Sequence, residues 1–220
     1  MKLHKVKNET KKYLKDRWKS HDFINSFPVL IDWKMDINLL NDIDLRGIDK
    51  LGCGEPFWKF PNIISANLKN IDLSFGNGSI SISDSEIINL ICNDFKFDRS
   101  SHISKSIIKN SLFLNSKFIL SATDTTFENC DFSNSKFSGG HNEYGFRRCK
   151  FINCKFNSAQ WKNTYLFACK FIDCDFNGFV ISNSLIRGFK VSRLTEEINS
   201  IFENCLDVTG LIEINNMENE

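Results

Sequence analysis

Residue types that can carry chemistry are present in this 220-residue chain, but the sequence does not gather them. Asp173 and Asp175 flank Cys174, and two carboxylates that close could share acid–base work if both faced a cleft. The four His stand at 4, 21, 102 and 141, without the close pairing that metal ligands show. Gly76-Asn77-Gly78-Ser79 lacks the third glycine and the strand–helix setting of a dinucleotide loop. There is no Gly-Lys-Ser/Thr phosphate loop and no Gly-x-Ser-x-Gly nucleophile elbow. No catalytic residue, no metal site and no cofactor is therefore expected, and the chain is not read as an enzyme.

The eight Cys follow a different logic. Residues 149–191 break into fives: Cys149-Lys-Phe151, Cys154-Lys-Phe156, Ala159-Gln-Trp161, Thr164-Tyr-Leu166, Cys169-Lys-Phe171, Cys174-Asp-Phe176, Phe179-Val-Ile181, Ser184-Leu-Ile186, Phe189-Lys-Val191. A mostly small residue is followed two places later by a large apolar one. Upstream units include Ser101-His-Ile103, Ser106-Ile-Ile108, Ser111-Leu-Phe113, Ser116-Lys-Phe118, Cys130-Asp-Phe132 and Ser135-Lys-Phe137. A period of five suits neither a flat strand nor an amphipathic helix. It suits a chain that turns a corner every five residues, with four units to a coil and coils stacked at about 4.8 Å. Phe151 then lies beneath Phe171 and Val191, Trp161 beneath Ile181, and Phe146 beneath Leu166 and Ile186. Five Cys (130, 149, 154, 169, 174) fall at the small position and are read as buried fillers.

On these units the sequence resembles the pentapeptide-repeat family. Ala66-Asn67-Leu68-Lys69-Asn70 matches its Ala-(Asp/Asn)-Leu-x-x signature, and Cys130-Asp131-Phe132-Ser133-Asn134 is a common variant. The resemblance implies an all-β solenoid, a right-handed quadrilateral β-helix of about six coils over residues 63–191. Residues 1–62 are expected to form an N-terminal cap with a basic helix around Tyr13, Leu14 and Trp18. Ile43-Asp-Leu45-Arg-Gly47 reads as an early partial coil, and Phe57, Trp58 and Phe60 as packing on the first full one. Residues 192–220 read as a C-terminal helix and acidic tail. Leu194, Ile198, Ile201 and Phe202 share a face that either caps the last coil or forms a homodimer.

The five-residue count slips at several loops, most clearly at Ser138-Gly-Gly-His-Asn-Glu143, which brings out His141 and Asn142. Beside that loop, outward positions should stack as Gly145/Tyr165/Leu185 and Arg147/Phe167/Arg187, with Ile152 over Ile172 on the next side. An exposed aromatic patch flanked by Arg is the composition of a protein-contact surface. These residues form the expected protein-binding site.

Composition limits the partner. Basic residues number 28 and acidic ones 27, a net charge of +1. Residues 1–20 carry a local +6 and residues 196–220 a local −7. This balance favours neither a strongly basic nucleic-acid binder nor a globally acidic mimic of DNA, and Lys at outward positions 150, 155 and 170 also opposes mimicry. No direct contact with nucleic acid is expected. No apolar run approaches a membrane span, and the N-terminus lacks a signal's apolar stretch, so a cytoplasmic protein with free thiols is expected. The resemblance implies a protective resistance or immunity factor that binds a type II topoisomerase (DNA gyrase) or a cognate toxin. A structural or targeting scaffold is the alternative.

Overall fold

The computed structural model describes residues 11–30, 32, 34–49, 62–139, 144–192, 198, 200–209 and 212–213. The chain winds through three parallel sheets of eight, eight and seven strands. Neighbours within each sheet are three strands apart in chain order, so each side is visited once per turn. A fourth side is joined by isolated bridges, Ile91 to Leu112 to Asp131 to Lys155 to Asp175. The register follows the five-residue count. Phe146 aligns with Leu166 and Ile186, Phe151 with Phe171 and Val191, and Trp161 with Ile181.

Each position of the repeat has its own physical duty. The large residue fills the interior: Phe127, Phe132, Phe137, Phe151, Phe156 and Phe171 are all buried, and Phe151 lies 4.7 Å from Phe171, ring on ring. The small residue does more than fill. Its hydroxyl or thiol satisfies backbone groups at the corner, where no ladder partner is available. Ser106 Oγ accepts from Ser85 N at 3.2 Å and Ser111 Oγ from Leu90 N at 3.0 Å. The thiols of Cys130, Cys154, Cys169 and Cys174 donate to Ile108, Phe127, Phe146 and Phe151 carbonyls at 3.3–3.4 Å. Burial pushes the Cys130 and Cys149 thiols far up, which keeps them protonated donors.

The fifth residue makes the corner. Asn70, Asn89, Asn110, Asn129, Asn134, Asn153, Asn163, Asp173 and Asn183 all have φ between +48° and +58°. Asn and Asp tolerate this left-handed region better than other residues with a Cβ, so the chain can bend without glycine. This recurrent Asn is a sequence signal that the small–large pattern alone does not use.

At the N-terminal end, α1 (Lys11–Asp16) is followed by a 3-10 turn, Arg17–Lys19, and α2 (His21–Asn25). Leu14 and Trp18 are buried, while Tyr13 is exposed. Residues 42–48 lie on the first coil as a partial turn. Asp72 N donates to Ile43 O at 3.0 Å and Leu45 N to Asp72 O at 2.8 Å, and Leu45 and Ile48 close the core. Gly47 sits at φ +77°, and a Cβ there would come within 2.4 Å of Leu14 O, so α1 can approach this turn only over glycine. Phe57, Trp58 and Phe60 lie outside the described residues.

The C-terminal end departs from expectation. Seven strands of the first sheet lie within residues 63–191 and make the six expected turns, and Leu206–Thr209 adds a seventh. Phe202–Glu203, Leu206–Thr209 and Ile212–Glu213 add one more strand to each sheet. Phe202, expected on a helix face beside Leu194, Ile198 and Ile201, instead pairs in parallel with Ile181. The exposed edge left by Val180–Ser182 is a template for one more strand, and that pairing outweighs the local helical spacing. Ile198 and Ile201 are buried in the chain's own core. Leu194 lies outside the described residues.

Candidate functional site

Among the described residues the interior of the coil is packed with side chains. The void between Phe97, Phe113, Phe118 and Phe132 has about 10 Å3, at the lower limit for one water. Among the described residues, no three His, Cys, Asp or Glu side chains come together as a metal site. Asp173 and Asp175 both point into solvent.

One side of the rod divides into two halves. Its strands Ser81–Ser83, Ser101–Ser104 and Leu120–Thr123 present polar residues, His102 among Ser and Thr, with Ser83 and Ser104 hydroxyls 3.1 Å apart. Its later strands Gly145–Arg147, Tyr165–Phe167 and Leu185–Arg187 present the aromatic and basic residues. The pairing puts Gly145, Tyr165 and Leu185 in one column and Arg147, Phe167 and Arg187 in the next. Within this patch the Tyr165 and Phe167 rings lie 6.0 Å apart and 9° from parallel. The Arg147 guanidinium covers both, at 5.8 and 5.7 Å from their centroids. Ile152 and Ile172 align on the adjacent side.

Exposure is lower than the outward pattern predicts. Arg147 and Arg187 are exposed, but Tyr165, Phe167, Leu185, Ile152 and Ile172 are half-buried. The cause is the coil spacing: side chains stacked at about 4.8 Å shade one another. One residue extends the patch unforeseen. Leu206 pairs with Leu185 and is 65% exposed. Its signal, a Leu one coil beyond Leu185, is hidden by the irregular spacing of the last turn.

The loop expected to flank the patch begins and ends where the count slips. Tyr144 N donates to Gly139 O at 3.1 Å and Gly139 N to Lys162 O at 3.0 Å, closing its base. Gly145 follows directly, where a Cβ would meet Tyr165 O at 2.0 Å. His141 and Asn142 lie outside the described residues. Below the patch, Arg148 grips Asp124 through two bonds of 2.6 Å, and its guanidinium holds the Asp124 carboxyl below the usual range.

The geometry defines a class: a four-sided parallel β-solenoid whose face residues are free of core duty. Residues 146–183 match the family model described as Pentapeptide repeats, in eight copies, so the chain carries the repeat of the pentapeptide-repeat proteins. Among solved structures, the chain is similar to full-length QnrB1, a plasmid-mediated fluoroquinolone resistance protein. Identity is 14%, coverage 78% of this chain and 91% of that one, and the TM-score 0.38. It is also similar to HetL, a pentapeptide repeat protein involved in heterocyst differentiation regulation from the cyanobacterium Nostoc sp. strain PCC 7120. Here identity is 8%, coverage 77% and 88%, and the TM-score 0.29. No curated protein sequence matches the chain. No helix among the described residues is long and apolar enough to cross a membrane.

Proposed function

We propose that this chain is a non-catalytic, cytoplasmic protein-binding rod with a protective role, resistance or immunity. It acts by holding a protein partner, either a type II topoisomerase such as DNA gyrase or a cognate toxin. The observation that carries the reading is the Arg147–Tyr165–Phe167 cluster, extended by Leu185, Leu206 and Arg187. Aromatic and Arg side chains dominate the centres of protein interfaces, and a rod that needs none of them for its core has no structural use for them on its surface. The loop carrying His141 and Asn142 would border the contact, and Ile152 and Ile172 would widen it.

The test is capture from the native cell lysate by the full-length chain, alongside a Tyr165→Ala, Phe167→Ala variant. Two central anchors lost together should weaken a specific complex by at least about a hundredfold. Partner binding that survives the double substitution unchanged refutes the site. Recovery of a topoisomerase, followed by rescue of its supercoiling under a quinolone, supports resistance. Recovery of a toxin supports immunity, and recovery of neither supports a scaffold.

A further inference from the structure

The corner next to this face carries a second pattern. Lys150, Lys170 and Lys190 occupy equivalent outward positions on three successive strands, each paired directly with the next. Arg147 and Arg187 lie just across the corner, one coil apart on either side of Phe167. Like charges directly opposite on paired strands destabilise a sheet. Elsewhere on the same sheet the chain avoids that cost. Lys109 lies between two acids, 2.8 Å from Glu86 and 3.9 Å from Glu128, and its pKa is raised chiefly by the Glu86 hydrogen bond. Arg148, at the same corner as the ladder, is neutralised by Asp124. Lys150, Lys170 and Lys190 have no carboxylate within ion-pair distance among the described residues.

We propose that this lysine ladder is one half of the contact site and that its partner is an acidic protein surface with apolar residues among its carboxylates. The proposal rests on the protein-binding reading of the neighbouring face and adds the partner's charge. A row of cations that repel one another in the free protein is stabilised once carboxylates lie along it. The apolar half of the site decides between protein and nucleic acid. Bases bind by stacking on open aromatic faces. Here Tyr165 and Phe167 stack on each other, and a guanidinium covers both. Ile152, Ile172, Leu185 and Leu206 are aliphatic, a match for protein side chains and of no use to a phosphate backbone. A second copy of this chain would bring the same cations against this corner if it docked face to face.

A second lysine ladder provides an internal control. Lys96, Lys117 and Lys136 also stack in register, but on another sheet and beside no aromatic patch. The experiment uses the full chain and a fluorescent random copolymer of glutamate and tyrosine as probe, read by anisotropy at two salt concentrations. A 20-nucleotide single-stranded DNA is measured in parallel. Lys150→Gln, Lys170→Gln, Lys190→Gln is compared with Lys96→Gln, Lys117→Gln, Lys136→Gln, which changes net charge equally. The first variant should lose about tenfold in affinity for the copolymer, from three half-buried charge contacts worth roughly twofold each. It should melt no lower than the parent, because repulsion is relieved. The second should bind within about twofold of the parent.

The proposal is overturned if the copolymer does not bind, if the two variants lose equally, or if DNA is bound more tightly. It is also overturned if the parent sediments as a dimer that the first variant dissociates. The protein-binding reading fails separately. If Tyr165→Ala, Phe167→Ala abolishes capture of the native partner while the lysine variant captures it normally, the face stands and the acidic partner falls.

Discussion

Replacing Phe151 by Leu tests whether the aromatic column is a set of pairwise contacts or merely apolar filling. Phe151 is fully buried. It stacks on Phe127 at 5.1 Å and on Phe171 at 4.7 Å. It also meets Phe132, Phe146 and Phe156 edge to face at 6.0, 5.3 and 5.5 Å. Leu retains most of the apolar volume but none of the ring geometry. Taking about 0.5 kcal/mol for each of these aromatic pairs, the low end of the usual range, the substitution should cost about 2.5 kcal/mol. The assay is urea unfolding followed by far-UV circular dichroism, with constant m-value as the check that the same surface unfolds. A double-mutant cycle sharpens it. Phe151→Leu with Phe171→Leu should show a coupling of about 0.5 kcal/mol or more, because the two rings touch. Phe151→Leu with Phe97→Leu should be additive within about 0.5 kcal/mol, since two and a half coils, roughly 12 Å, separate them. A loss below about 1 kcal/mol, or equal coupling in the two cycles, would refute the pairwise column.

Two further outcomes follow from the corners and the cap. Ala168 holds φ +52° at a corner where the equivalent residues of other coils are Asp84, Lys105, Asp124 and Arg148, and Gly188 sits directly above it. Ala168→Gly should stabilise the protein by about 1 kcal/mol, seen as a raised melting temperature in calorimetry. Asp44 is half-buried, which works against its charge, but hydrogen bonds from Arg46 and Arg17 outweigh burial and hold its pKa far below the usual carboxylate range. A depressed pKa means stability that is full above the unfolded-state value and is lost as pH falls through the folded one. Asp44→Asn should therefore cost about 1 kcal/mol at neutral pH after allowance for solvent screening, and the gap to the parent should close only below about pH 4. A gap that stays constant in acid would remove Asp44 from the cap's charge network.

The sequence made the interior legible because one side-chain type recurs at one phase. Phe146, Phe151, Trp161 and their successors fall on the predicted columns, since a filled coil admits no other register. The outward columns Tyr165/Leu185 and Arg147/Phe167/Arg187 followed from the same count. The last turn did not. Twenty-one residues separate Ile181 from its partner Phe202, so the phase is lost, and with it Leu206 at the edge of the site. Degree of exposure was also out of reach, because the shading of Tyr165 by its neighbours is a property of the stack and not of the residue. The Asn or Asp that recurs at the fifth place of many units was readable, and its meaning is the left-handed corner.

That corner sets the surface in quarter turns. Every five residues the chain changes side, so a deletion of five between Phe137 and Phe146 would carry Tyr165 and Phe167 to the neighbouring side of the rod with the column of buried rings still continuous. A deletion of twenty would shorten the rod by one step and leave every later residue on its original side. The four extra residues between Ala122 and Phe146, twenty-four apart where other coils use nineteen to twenty-two, do neither. They are absorbed between Gly139 and Tyr144 and leave the phase intact. Insertion length thus works as an angular coordinate: five, ten or fifteen residues re-aim the binding face, and a full coil of twenty returns it to its original side.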